Sequence, residues 1–290
     1  MAKQFDARGG GRGYGMLVYG LLAFSALLIV IPFLYVILSS FSTKQEMITR
    51  GFFLIPREWT FSNYAYLLNN DNFMTAFGNA VYITVVGTVV NMAFTSLMAY
   101  GLSRTWLHGR KPINFIVLFT MVFAGGMIPS FLVVKSLGLL DSYWALFLSA
   151  AISPFNLIVM RSFFQNIPNE LTEAGIIDGC GEWRMLVSIV IPLSLPAIAT
   201  FTLFYAVHNW NTYFHAILYL QDSAKWPLQV FLRQLLIETD LSTEADSGGF
   251  EYGPAVKMAA VVVTAVPLLL VYPFLQKYFN QGMLLGSVKG

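Results

Sequence analysis

Charge is scarce in this sequence: only 11% of 290 residues are Asp, Glu, Lys or Arg. Globular proteins carry about 25%. A soluble chain of this size would have too little charge to cover its surface. Cysteine is nearly absent. With Cys180 alone, no internal disulfide and no multi-cysteine metal cluster is possible. No Gly-Lys pair occurs, so the chain has no P-loop and is not itself a P-loop ATPase. GxSxG, HExxH and CxxC are all missing. His208 and His215 fall on one expected helix, but seven residues at 1.5 Å rise part them by roughly 10.5 Å, too far for one metal ion without a bend. No metal site is expected. A net charge of +2 does not suggest a nucleic-acid binder.

Apolar and aromatic residues are abundant. Hydrophobic residues make up 57%, with 25 Phe, 14 Tyr and 6 Trp, which excludes a disordered chain. Six stretches lack any charged side chain: 13–43, 72–103, 112–134, 142–160, 185–221 and 258–276. Each can supply the roughly 20 residues that cross a 30 Å hydrocarbon core. Lipid cannot satisfy free backbone groups, and the alternation of a membrane barrel is missing, so the spans are expected to be helices. The predicted fold class is an all-α polytopic membrane protein with six transmembrane helices, at about 16–41, 76–103, 112–134, 143–163, 192–220 and 256–278. The first apolar stretch is too long for a cleaved signal and is read as a permanent helix. Residues 1–15 read as a flexible tail, 16–280 as the transmembrane domain and 281–290 as a second tail. An even number of spans puts both termini on one side. That side carries 10 of the 17 basic residues, so the positive-inside rule makes it cytoplasmic. The segments 42–72 and 221–256 then become long external loops.

No Asp or Glu lies inside any span. An ion-coupled secondary transporter, the alternative class, ordinarily uses such carboxylates as a relay. A transporter with neither a relay nor a nucleotide site draws its energy from elsewhere.

The segment between helices 4 and 5, from Ile167 to Pro196, is the most informative. Pro168 and Asn169 are helix-start signals. Leu171, Ala174, Gly175 and Asp178 share one helical face, with small residues at 174 and 175. Gly179 follows where a left-handed cap would end the helix. A second short helix, about 182–190, would turn Trp183 and Leu186 outward or into a partner, and Pro192 and Pro196 shape the start of helix 5. The segment reads as a short helix-turn-helix that seats in a groove of a partner and transmits a push.

This segment resembles the coupling motif of permease subunits in bacterial ABC importers: Glu-Ala-Ala, three residues, Gly, nine residues, Ile-x-Leu-Pro. Here it stands as Glu173-Ala174-Gly175, Gly179, Ile189, Ile191 and Pro192. Gly175 replaces the second Ala and Ile191 replaces Leu. The likeness extends to His208-Asn209-Trp210-Asn211, Trp226-Pro227-Leu228 and the final Gly286–Gly290. Together these resemble the MalG-type carbohydrate permeases, and most of all the polysaccharide and oligosaccharide branch that includes alginate importers.

The resemblance implies a bacterial inner-membrane subunit with a cytoplasmic coupling helix and no catalytic site of its own. Its partners would be a second permease, two copies of an ATPase subunit and a periplasmic or extracellular solute-binding protein. The chain would bind no cofactor; ATP and Mg would sit in the ATPase subunits. Glu173 would face a basic residue of the ATPase, Ala174 and Gly175 would let the helix lie close, and Gly179 would make the turn. Asp178, Arg184 and Pro192 complete the coupling set, although Arg184 also suits a lipid headgroup or an intrasubunit contact. Val288, Lys289 and Gly290 would reach the ATPase dimer, and 221–256 would approach the binding protein.

Helix 5 carries a polar and aromatic stripe of Phe201, Tyr205, His208, Asn211 or Thr212, and His215 at i, i+3 or i+4 spacing. With Asn156 on helix 4, these residues suit a sugar path, since sugars take both hydrogen bonds and flat aromatic faces. The competing reading is interhelical packing, where Asn and His bond across helices. Asn79 and Asn91 are expected to be packing residues.

Overall fold

The computed structural model describes residues 12–241 and 253–286. They form two units, one of residues 12–69, 235–241 and 253–263 and one of residues 70–234 and 264–286. Among the described residues every regular element is helical.

In the first unit, α1 (Arg12–Ser39) is apolar around its whole circumference, and its most apolar 18-residue stretch buries no residue in the protein. That is the signature of a helix made for lipid or a partner. Asn63 ties down the turn after it by donating to the carbonyls of Ser40 and Ser42, 2.9 Å each. The predicted external loop 42–72 contains two short helices, α2 (Lys44–Arg50) and α3 (Ser62–Leu68). Thr43 caps α2 by accepting from the N–H of Glu46. The Glu46 carboxylate accepts from the N–H of Arg57 (3.0 and 3.2 Å) and from Arg50, which fixes the loop between them. Met47, Phe53 and Ala255 form a small core beneath.

In the second unit, α4 (Asp71–Ser103) is the mast. It starts before the predicted residue 76 because Asn70 caps it, accepting from the N–H of Phe73 at 3.0 Å. The helices predicted at 112–134, 143–163 and 192–220 are each broken. The first divides into α5 (Arg110–Val122) and α6 (Met127–Ser136), parted at Gly126, whose φ is +86°. The second divides into α7 (Tyr143–Ser149) and α8 (Pro154–Gln165), bent by 55°. Pro154 opens α8, and the residue before a proline is driven away from helical backbone, so the break precedes it. Beyond α8 lie α9 (Asn169–Ile177), α10 (Glu182–Met185) and α11 (Ile191–Leu193). The third predicted helix begins with α11 and continues as α12 (Leu195–Trp210) and α13 (Phe214–Tyr219). A short helical turn at Ser223–Lys225 leads to α14 (Leu228–Leu241). Finally, α15 (Pro254–Gly286) runs through positions 281–286, which the sequence reading had assigned to a tail.

Among the described residues three helices are long and apolar enough to cross a membrane, and five spans result if each of two bent pairs counts as one. α5 and α6, of 13 and 10 residues, are each too short to span alone.

Two apolar cores sit at different heights along α4. One gathers Ala99, Tyr100 and Leu102 with Leu157, Met160, Phe164, Met185, Leu186, Val190 and Phe201. The other gathers Ile83 with Val134, Leu146, Phe147, Tyr219, Leu220 and Val230.

Candidate functional site

Residues 168–194 fold into an elbow. Pro168 (φ −54°) precedes α9 with its ring geometry already suited to a helix start. α9 closes with the N–H of Gly179 on the carbonyl of Ile176 (3.0 Å) and that of Cys180 on Gly175 (2.9 Å). These are the two bonds of a Schellman cap, and Gly179 supplies its left-handed residue at φ +76°. α10 follows at once and passes into a π turn, Leu186–Val190, in which the N–H of Ile191 bonds the carbonyl of Leu186. Pro192 explains that turn. It lacks an N–H and its ring would clash with the carbonyl four residues back, and a wider turn relieves the clash. At Ser194 the chain bends by 88° into α12.

The elbow has an anchored side and an open side. Met185, Leu186 and Val190 are buried in the core around Tyr100 and Phe201, so Leu186 does not face a partner. Gly175 is buried as well: a Cβ there would stand 2.7 Å from Met185 Cε and 3.0 Å from Ile189 Cδ1. Its smallness therefore seats α9 on this chain's own second arm, a correction to the expectation that it lets an ATPase approach. Glu173, Ala174, Asp178, Gly179 and Arg184 are exposed. Around them Ile176, Ile177 (86% exposed) and Trp183 (69% exposed) form an apolar surface.

The end of α4 grips both arms. Arg104 donates to the hydroxyl of Tyr100 (2.8 Å) and to that of Thr172 on α9 (3.4 Å), and its guanidinium lies 4.4 Å from the centre of the Tyr100 ring. The Tyr100 hydroxyl donates to the carboxylate of Glu182 on α10. The sequence reading missed this group. The i, i+4 spacing of Tyr100 and Arg104 was its only local signal.

The expected sugar-path stripe is not one surface. Tyr205 is 2% exposed; its hydroxyl accepts from the N–H of Ser153 (3.0 Å) and shares a hydrogen bond with Thr95 (2.7 Å). Asn156 is also buried. Both are corrections: these side chains face the interior of the helix bundle. His208, Asn211 and His215 are exposed and Thr212 is half-buried. The stripe splits because α4 covers Tyr205 and leaves His208 exposed, and because α12 ends at Trp210, before His215 on α13. The expected tail contacts Val288, Lys289 and Gly290 lie outside the described residues.

Asparagines do the packing. Asn91 donates to the carbonyls of Ala150 (2.7 Å) and Ala151 (3.2 Å), which the break between α7 and α8 leaves free, and accepts from Asn209 (2.9 Å). Asn209 also donates to Thr88 (3.3 Å). Gly87 makes room for it, since a Cβ there would lie 2.9 Å from the Asn209 amide nitrogen. Asn79 donates to the carbonyls of Ala224 (2.8 Å) and Trp226 (3.1 Å). At the same end of the unit Asp141, at φ +58°, accepts from the N–H groups of Gln221 and Asp222 (3.0 Å each) and from Lys225 (2.6 Å). These bonds, that of Lys225 first, hold the Asp141 carboxyl below the usual carboxylate range.

Comparison with known proteins places this architecture. A family model described as the binding-protein-dependent transport system inner membrane component matches residues 106–285. The polygalacturonan/rhamnogalacturonan transport system permease protein YtcP of Bacillus subtilis is 55% identical over 284 residues, 96% of this chain and 99% of its own length. A chain from the crystal structure of a bacterial ABC transporter involved in import of the acidic polysaccharide alginate superposes with a TM-score of 0.86 at 35% identity, covering 92% of this chain and 97% of that one. A chain from the bacterial alginate ABC transporter in complex with its alginate pentasaccharide-bound periplasmic protein shares the fold, with a TM-score of 0.61 at 16% identity over 91% and 93% of the two chains.

Proposed function

The chain belongs to the family of binding-protein-dependent transport system inner membrane components, and on that premise we propose that it is a permease subunit of an ATP-driven sugar importer. Its cargo is an oligo- or polysaccharide delivered by a solute-binding protein; the named relatives, which carry polygalacturonan, rhamnogalacturonan and alginate, support that class. The chain performs no covalent chemistry.

The observation that carries this reading is the glycine-capped elbow, anchored on one side and presenting Glu173, Ile176, Ile177 and Trp183 on the other. Two cytoplasmic ATPase subunits hold ATP and Mg, and α9 lies in a cleft of one of them. Their closure pushes the elbow, and the bend at Ser194 passes the push into α12, rocking the helices between inward-open and outward-open states. Six crossings follow if α5 with α6, α7 with α8, and α12 with α13 each complete one span beside α1, α4 and α15. Both termini are then cytoplasmic, in a bacterial inner membrane. A second permease completes the path, for one such bundle does not enclose a large sugar. His208, Asn211, Thr212 and His215 remain the residues offered to that path, and 221–256 faces the binding protein. The tail Val288–Gly290 meets the ATPase dimer.

The test is sugar uptake and ATP hydrolysis by the assembled complex in vesicles. Glu173→Ala with Gly179→Val should abolish uptake and leave hydrolysis unresponsive to loaded binding protein. Unchanged uptake by that variant would refute the reading.

A further inference from the structure

The elbow is a lever with a turn in its middle, and a lever that flexes at its turn loses the motion it is given. Apolar packing holds the second arm, through Met185, Leu186 and Val190. α9, the arm offered to the motor, is held much less: only Gly175 among its residues is buried. The grip from α4 supplies what is missing. Tyr100 lies in the last turn of α4, and Arg104 is the residue that ends it. Arg104 reaches Thr172 on one arm, the Tyr100 hydroxyl reaches Glu182 on the other, and Arg104 donates to that same hydroxyl. A cation, a phenol and a carboxylate thus form one chain of hydrogen bonds, each polarising the next. Tyr100 is 8% exposed and Glu182 is exposed, so the bond is partly buried.

We propose that Tyr100 and Arg104 are positioning residues that lock the two arms of the elbow to α4, so that a push on α9 moves α4 instead of bending the turn at Gly179. This rests on the coupling role proposed above. α4 suits that task because α8 and α12 both pack along it.

The experiment uses the full complex in proteoliposomes and measures sugar carried per ATP hydrolysed. Tyr100→Phe removes the hydroxyl and keeps the ring under Arg104. It should leave assembly and ATP hydrolysis intact and lower the transport ratio by about tenfold, the scale of one hydrogen bond to a charged partner. Glu182→Gln still accepts the phenolic proton and should keep most of the ratio, whereas Glu182→Ala should behave as Tyr100→Phe does. A spectroscopic arm separates a lock from mere packing. Spin labels at exposed Leu97 on α4 and exposed Glu170 on α9, in a Cys180→Ser background, should give one distance with and without ATP. In Tyr100→Phe the distance should change on ATP binding. A Tyr100→Phe complex with a wild-type ratio overturns the lock, whether or not its thermal stability has fallen, and so does an unchanged single distance. Glu173→Ala runs alongside: if it leaves the ratio untouched, the coupling role fails; if it alone collapses the ratio, only the lock fails.

Discussion

Replacing Asn91 with Leu tests how the bundle tolerates a broken helix. Leu is close in volume, so the change removes hydrogen bonds with little change of packing. Three bonds are lost: those to the carbonyls of Ala150 and Ala151, and that from Asn209. The two carbonyls have no partner within the break between α7 and α8, and Asn91 is 1% exposed, so water cannot readily replace it. Interhelical hydrogen bonds in membranes contribute about 0.6 kcal/mol on average and up to about 1.7. Three together give a loss of about 2–5 kcal/mol. Asn91→Asp should be worse, because a carboxylate would face two carbonyl oxygens in place of an amide donor. The assay is the apparent melting temperature of the detergent-solubilised complex. Asn91→Leu should lower it by several degrees, while Asn211→Ala, on an exposed side chain, should barely move it. Asn91→Leu with Asn209→Leu should cost less than the sum of the two, since they share one bond. A melting temperature unaffected by Asn91→Leu, or an Asn91→Asp complex as stable as wild type, would refute the reasoning.

Gly175→Ala and Gly175→Leu should part company. Alanine gains about 0.5–1 kcal/mol of helix propensity and displaces only the flexible ends of Met185 and Ile189, so elbow stability should change little. Leucine has no space between Met185 and Ile189, and should lower both complex stability and transport, read by melting and uptake. Asp141→Asn should destabilise the loop that Lys225 and the Gln221 and Asp222 N–H groups hold. Asparagine also tolerates the left-handed backbone at this position, so the change isolates the charge. Because the Asp141 carboxyl is depressed in the folded state, its contribution is present above the unfolded carboxyl value of about 3.9 and is lost as pH falls through the lower folded value. The gap in melting temperature between wild type and Asp141→Asn should hold from neutral pH to about 4 and shrink below it. A gap that widens below pH 4 would contradict the assignment.

Much of the candidate site was legible because its signals are local. The glycine that takes positive φ at 179, the proline that starts α9 and the Asn79 and Asn91 packing roles all follow from residue chemistry. The helix breaks were harder to see. Charge-free stretches report that a segment avoids water, not that its backbone is continuous. Pro154 and Gly126 carried the missing information. The stripe on α12 failed for a related reason: equal spacing on a helix does not say which side another helix covers. Thus Tyr205 is buried and His208, one turn on, is exposed.

Composition and spacing alone determined that this chain is helical and built for a membrane, and where its elbow lies, because hydropathy, proline geometry and glycine backbone freedom act within a few residues. Tertiary structure decided what each polar group does. Asn91 finds its carbonyl partners 59 and 60 residues away, and Tyr100 meets Glu182 at a separation of 82. Such pairings depend on how helices rotate and where they break, and a buried donor or acceptor takes whichever partner that geometry brings within reach.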